Sequence, residues 1–122
     1  MANHISIVSV PVADQQRAKK FYVEKLGCKV TMEAPDAMGP GRHWIMVEPS
    51  GGGAQVALVN WMDTMPAGSL RGLVVSSSDI AADHAALKAN GVKVDAIQKA
   101  AWGSFATLTD SEGNQLVLHQ PG

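Results

Sequence analysis

One order of secondary-structure signals occurs twice along this chain, and the repeat limits the folds open to it. A β-branched apolar run is followed by an Asp, then by an amphipathic helical pattern, then by a Gly. The motif Leu-Gly-Cys-Lys-Val at 26–30 has a counterpart in Asn-Gly-Val-Lys-Val at 90–94, about 65 residues later. This pattern predicts two modules, each of one strand, one helix and three strands, at about 4–61 and about 70–120 within a single domain, 1–122.

The period of the apolar residues divides each module into its elements. Apolar residues recur at helical spacing between Asp14, a good N-cap, and Gly27, a good residue just beyond a helix end. The same reasoning places the second helix between Asp79 and Gly91. The strands are predicted at Ile5–Val12, Cys28–Glu33, His43–Val47, Gln55–Asn60 and Leu70–Ser76, from Val92 onward, and at Gln115–His119. The fold class is therefore predicted to be α+β.

Composition and charge narrow the partners that we expect. The chain has 122 residues, 46% of them hydrophobic, and a formal net charge of −1, with acidic and basic residues interspersed. No basic face favours nucleic acid, and no apolar stretch is long enough for a membrane span. A single cysteine, Cys28, excludes an internal disulfide. With no secretory leader visible, we expect a cytoplasmic protein without nucleic-acid or membrane partners.

Two motifs carry a family resemblance across nearly the whole chain. They are Asp-x-x-x-Ala-x-x-Phe-Tyr-x-x-x-Leu-Gly at Asp14–Gly27 and Asp-x-x-Gly-Asn at Asp110–Asn114. Together with the repeat, they resemble the vicinal oxygen chelate superfamily, which includes glyoxalase I, extradiol dioxygenases, fosfomycin-resistance transferases and bleomycin-binding proteins. The resemblance implies two βαβββ modules whose curved mixed sheets surround a cavity. It also implies a homodimer in which each cavity takes strands from both subunits.

In metal-dependent members of this superfamily, His, Glu or Gln ligands lie on the first and last strands of each module. The matching positions here are Ile7, Ala57, Gly72 and Val117. None of these residues has a side chain that can donate to a divalent cation. We therefore expect the metal-free subgroup of the superfamily, with no metal ligands and no cofactor.

The last strand and its neighbours supply the candidate ligand-binding residues. Strand alternation puts Gln115 and His119 on the cavity side with Val117. Pairing across the Asp110–Asn114 turn sets Phe105 near His119 and Thr107 near Val117. His119 is a weak catalytic candidate, since imidazole is a general base near neutral pH; a half-exposed histidine without a catalytic role is the simpler alternative. The predicted ligand-binding set is Trp102, Phe105, Thr107, Gln115, His119, Gln55 and Trp44.

Three functions remain open from the sequence. The first is a small-molecule binding protein of the bleomycin-resistance type that sequesters an aromatic or partly apolar ligand without a metal. The second is a glyoxalase- or dioxygenase-like enzyme, a lyase, isomerase or oxidoreductase, with a displaced or absent metal site. The third is a module with a regulatory or structural role. Fold alone does not choose among them.

Overall fold

A computed structural model describes residues 2–122; Met1, the first residue of the predicted domain, lies outside them. Within the described chain there are nine strands and two helices. Module one contains β1 (Ile7–Pro11), α1 (Gln15–Glu24), β2 (Lys29–Ala34), β3 (Trp44–Glu48) and β4 (Gln55–Val59). Module two contains β5 (Leu73–Ser76), α2 (Ile80–Ala89), β6 (Lys93–Val94), β7 (Gln98–Ala100), β8 (Gly103–Thr109) and β9 (Gln115–Gln120). No helix in this part of the chain is long and apolar enough to cross a membrane.

Each module folds around its own mixed sheet. The first sheet has the strand order β1-β4-β3-β2, and the second has the order β5-β9-β8-β6, with β7 also paired to β8. In both sheets the first and last strands of the module are parallel, and the remaining pairs are antiparallel. The predicted α+β class with two mixed sheets is confirmed.

The helix boundaries follow the predicted capping residues. Asp14 and Asp79 precede α1 and α2, and the carboxylate of each accepts a hydrogen bond from the amide three residues later. Beyond the helices, Gly27 and Gly91 have φ angles of +72° and +77°. Glycine enters this left-handed region without the steric penalty of a Cβ atom, so it reverses the chain toward the next strand.

One apolar core joins the two modules. Each helix covers one side of its sheet, and alternate strand residues pack beneath it. Tyr22 on α1 is buried in this core and reaches module two. The buried members are Val10, Val12, Ala18, Tyr22, Cys28, Ile45, Val47, Val56, Leu58, Ile80, Leu87, Val92, Leu108, Leu116 and Leu118.

The second strand of module two differs from the prediction because it is broken into β6 and β7. Both pieces pair with β8, and Asp95 lies in the break between them. The Asp95 carboxylate accepts a hydrogen bond from the Thr107 amide at 2.7 Å, while the Asp95 amide donates to the Thr107 carbonyl at 3.0 Å. A side chain thus replaces one backbone acceptor of the ladder and interrupts the regular strand.

The opening strand of module two is also shorter than predicted. It begins at Leu73 rather than at Leu70. The Leu70 amide donates to the side-chain oxygen of Asn114 at 3.1 Å, and Gly72 has a φ angle of +80°. Residues 70–72 therefore form a bent segment that leads into the sheet, and Gly72 lies just before the strand.

Candidate ligand-binding faces

The open face of each sheet, defined as the side opposite its helix, contains the predicted site residues. Along β9, Leu116 and Leu118 are buried in the core beneath the helix. Alternation then directs Gln115, Val117 and His119 to the open face. All three side chains are half-buried in the single chain. The structure thus confirms the prediction that Gln115, Val117 and His119 lie on the same face of this strand.

Strand β8 adds residues to the same face through its register with β9. Phe105 lies opposite His119, and Thr107 lies opposite Val117, as expected from the turn at 110–114. On the other side of β9, Val74 of β5 is the register partner of Val117. Directly opposed residues of neighbouring strands share a face, so these side chains form one continuous surface.

Trp102 folds back over this surface from the turn between β7 and β8. Its indole lies 4.7 Å from the Phe105 ring, centroid to centroid, with an interplanar angle of 20°. It also lies 4.7 Å from the His119 ring, at an angle of 40°. Both distances are within the range of stacked aromatic pairs. The structure therefore brings three of the predicted residues into one aromatic cluster, although 53% of Trp102 stays exposed.

The hydrogen bond of His119 determines its tautomer. Nε2 of the ring lies 2.8 Å from the carbonyl oxygen of Trp102. A carbonyl oxygen only accepts, so Nε2 carries the proton and donates it. In the neutral ring Nδ1 is then the free acceptor. His119 is thus oriented by a backbone carbonyl rather than by the carboxylate that usually orients a catalytic base.

The open face of the first sheet contains a second aromatic pair. Trp44 and Trp61 lie 6.0 Å apart, centroid to centroid, at an angle of 37°. They pack around a small apolar cluster of Met46, Ala57 and Val59. Trp44 therefore lies on the predicted face, where its ring also packs against Trp61.

Gln55, the other predicted residue of module one, is linked to the edge strand of its sheet. The Thr31 hydroxyl donates to its side-chain oxygen at 2.5 Å. Thr31 lies at an irregularity in the pairing of β2 with β3, between Val30 and Met32. The sequence did not identify Thr31, because nothing in the local pattern marks where a strand register shifts.

A single chain leaves both open faces accessible. Val74 is 53% exposed, Met32 48% and Ile7 42%, which is high for large apolar side chains. The predicted residues therefore form two groups, one on each sheet. Two grooves of about 400 and 450 Å³ lie elsewhere: one between α1 and β2, the other beside the turn from β3 to β4. Neither groove is lined by a predicted site residue.

The four positions that correspond to metal ligands do not suit a cation. Ile7, Ala57 and Val117 lie on strands with hydrocarbon side chains, and Gly72 lies ahead of its strand. Residues 2–122 contain no group of three or more His, Cys, Asp or Glu side chains placed to hold a metal ion. The donors that a divalent cation needs are thus missing at the expected positions.

A comparison with protein families agrees with the βαβββ repeat and the open sheet faces described above. A model of the Glyoxalase/Bleomycin resistance protein/Dioxygenase superfamily matches residues 2–118. This chain belongs to that superfamily. The resemblance seen in the Asp14–Gly27 and Asp110–Asn114 motifs is confirmed.

Several proteins resemble this chain over nearly its whole length. The crystal structure of TnmS3, an antibiotic binding protein from Streptomyces sp. CB03234, is 41% identical, covers 99% of this chain and 98% of its own, and has a TM-score of 0.93. A glyoxalase/bleomycin resistance protein from the same strain is also 41% identical, with coverages of 95% and 99% and a TM-score of 0.85. The uncharacterized protein YetH of Bacillus subtilis strain 168 is 34% identical, covering 98% of this chain and all of its own.

Proposed function

We propose that this protein binds and sequesters a small, flat, partly apolar molecule of the antibiotic type, without a metal. The observation that carries the proposal is the half-exposed stack of Trp102 on Phe105 and His119, next to neutral hydrogen-bonding groups on the same face. Planar aromatic side chains offer a large contact area at a low entropy cost. Support comes from the antibiotic-binding relative, which is 41% identical over almost the entire chain.

We also propose that two copies of the chain form the working unit. The open faces expose Val74, Met32 and Ile7, large apolar residues that a monomer would normally cover. A second copy placed over these faces would shield them and would bring a module-one face to a module-two face. Sedimentation velocity of the purified protein tests this, since a concentration-independent monomer would contradict it.

The enzyme alternative receives less support. In general-base catalysis by a histidine, a carboxylate usually orients the ring and stabilises the imidazolium that forms. Among the described residues, the His119 ring bonds to the Trp102 carbonyl and to no carboxylate. The third alternative, a module with a regulatory or structural role, gives no reason for an aromatic stack left half-exposed on a sheet surface.

A fluorescence titration tests the binding proposal. EDTA-treated protein is titrated with daunorubicin, as a planar antibiotic, and with 2-naphthol, an α-keto thiol adduct and a catechol. We expect saturable quenching by a planar compound, and Trp102→Phe should weaken the binding. Trp61→Phe is the matched control, because Trp61 packs in the apolar cluster of the first sheet. If binding appears only after Zn²⁺, Ni²⁺, Fe²⁺ or Mn²⁺ is added, the metal-free proposal is wrong.

Our proposal of a cytoplasmic location rests on one further feature. Cys28 is buried and free, and its burial raises the pKa of the thiol to about 11. A protonated thiol is a poor nucleophile, so Cys28 is a packing residue with no partner for a disulfide. Fractionation of cells that express the tagged protein tests the location.

A further inference from the structure

We propose that His119 and Phe105 are positioning residues, which hold the indole of Trp102 in place before a ligand arrives. This inference rests on the proposed function, and it assigns His119 a role other than that of a base. The ligand would stack on the exposed part of the indole. The two positioning residues would act on affinity through Trp102.

The packing of the three rings supports this role. Phe105 and His119 are register partners on neighbouring strands, so both rings start from the same face of the sheet. Each ring is 4.7 Å from the indole, centroid to centroid. Trp102 lies in a turn, where a side chain without such contacts would sample several rotamers. Two ring contacts from the rigid strand pair restrict it to one arrangement.

The backbone of the turn is held by His119 as well. The Trp102 carbonyl accepts a hydrogen bond from Nε2 of His119 at 2.8 Å. The next residue, Gly103, is buried with a φ angle of +123°, and a Cβ there would overlap the carbonyl oxygen of Gln120. The start of β8 is therefore pressed against the end of β9. His119 contacts Trp102 at both its ring and its carbonyl, so it fixes the turn as well as the side chain.

The consequence for binding is an entropic advantage. A side chain that is already ordered loses little freedom when a ligand stacks on it, and immobilising one large side chain weakens binding by about 3- to 10-fold. Nδ1 of His119 stays available as an acceptor in the neutral ring. A flat ring system that matches a fixed indole surface is the ligand class that such a site favours.

The test measures the order of Trp102 without ligand and the affinity with ligand in the same proteins. The full chain is labelled with 5-fluorotryptophan, which produces three ¹⁹F resonances, and the Trp102 resonance is assigned with Trp102→Phe. The variants are Phe105→Leu, His119→Leu and His119→Gln, of which Gln keeps an N–H donor. Ser104→Ala, on the same strand as Phe105, is the matched control.

We expect the Trp102 resonance of ligand-free Phe105→Leu and His119→Leu to move toward the position of free 5-fluorotryptophan. The Trp44 and Trp61 resonances should stay in place and report that the fold is intact. Affinity for the tightest-binding compound among daunorubicin and 2-naphthol should fall about 3- to 10-fold. His119→Gln should recover part of both effects.

Two results would overturn the inference while leaving the proposed function standing. One is a loss of affinity with an unmoved Trp102 resonance, which would mean that His119 or Phe105 contacts the ligand directly. The other is a moved resonance with affinity unchanged within about twofold. If neither compound binds the unmodified protein, the proposed function fails for this ligand class, and the ligand-free resonances alone decide whether His119 and Phe105 order Trp102.

Discussion

Arg17 and Glu112 form a two-point ion pair between the modules, across 95 positions of sequence. Nε of Arg17 lies 2.7 Å from one carboxylate oxygen, and Nη2 lies 3.0 Å from the other. The same carboxylate accepts the amides of Ala13 and Asp14 at 3.0 and 2.9 Å, just before α1. Glu112 of module two thus holds the start of the module-one helix, and with it the relative placement of the two sheets.

Glu112→Gln should destabilise the protein by about 1–2 kcal/mol at pH 7, because an amide is a weaker acceptor for these donors. Burial acts to raise the pKa of the Glu112 carboxyl, but the hydrogen bonds from Arg17, Ser111 and the two amides outweigh it and lower that pKa to about 2. The folded-state value lies below the ordinary 4.5, so the stabilisation is present above about 4.5 and disappears as the pH falls toward 2.

Urea unfolding at pH 7, 4 and 3 measures this effect. The difference in unfolding free energy between the wild type and Glu112→Gln should shrink steadily as the pH falls through that window. Glu24→Gln on the exposed surface of α1 is the control, with an expected change below about 0.5 kcal/mol. A difference that is independent of pH would contradict an ion-pair role for Glu112.

Tyr22 should not ionise while the protein is folded. Its hydroxyl is buried and donates to Asp110 at 2.7 Å. Burial first, and then the charge of Asp110, raise the pKa of Tyr22 far above its ordinary value of 10. Tyr22 is the single tyrosine of the chain, so any tyrosinate absorbance that grows with pH comes from this residue alone.

Because the folded-state pKa is raised, this group contributes stability below about pH 10 that is lost at higher pH. We expect tyrosinate absorbance to appear together with the loss of the far-ultraviolet helical signal. A titration that is complete below about pH 10.5, with circular dichroism unchanged, would show that Tyr22 reaches solvent. Tyr22→Phe, which leaves Asp110 one donor short, should lower the unfolding free energy by about 1–3 kcal/mol.

Asn114→Ala should destabilise the protein by about 2–4 kcal/mol, since several buried groups lose a partner. Asn114 is fully buried, donates to the carbonyl of Pro11 at 2.8 Å and accepts from the amide of Leu70 at 3.1 Å. It therefore connects the first strand of module one to the entry of module two. Asn60→Ala is the matched control, because the Asn60 amide makes one exposed bond, to Gly41. Equal effects in thermal unfolding would contradict this role.

Gly103→Ala should destabilise the fold by at least about 2 kcal/mol and disturb the Trp102 turn. A methyl group there would overlap the carbonyl oxygen of Gln120, and the φ angle of +123° is unfavourable for alanine. Gly51→Ala is the control, because nothing lies within 4 Å of the added Cβ. It should be neutral or stabilising by up to about 1 kcal/mol. Urea unfolding of both variants measures the two changes in unfolding free energy, and equal changes would contradict the close contact at Gly103.

The sequence predicted the helix boundaries correctly, because each boundary depends on the type of a single residue. Asp14 and Asp79 cap helices, and Gly27 and Gly91 turn the chain after them, because these residue types suit those backbone positions. The break at Asp95 was missed. A carboxylate that substitutes for a backbone acceptor of the neighbouring strand has no signature in the local pattern.

The candidate site shows the same division. Strand period and the turn at 110–114 were sufficient to predict that Phe105 faces His119 and Thr107 faces Val117, since register follows from alternation and turn length. Nothing local predicts that Trp102 lies over that pair or that Thr31 bonds Gln55. Those contacts depend on side-chain rotamers and on a register shift.

The sequence by itself determined the repeat, the superfamily and the face of each strand, because hydrophobic period, capping and turn residues act over a few neighbouring positions. Only the tertiary structure decided how the modules are joined and how the site is supported. Glu112 meets Arg17, and His119 meets Trp102, once the sheets are assembled. Such contacts form between residues that are distant along the chain, and the packing of the whole core sets their geometry.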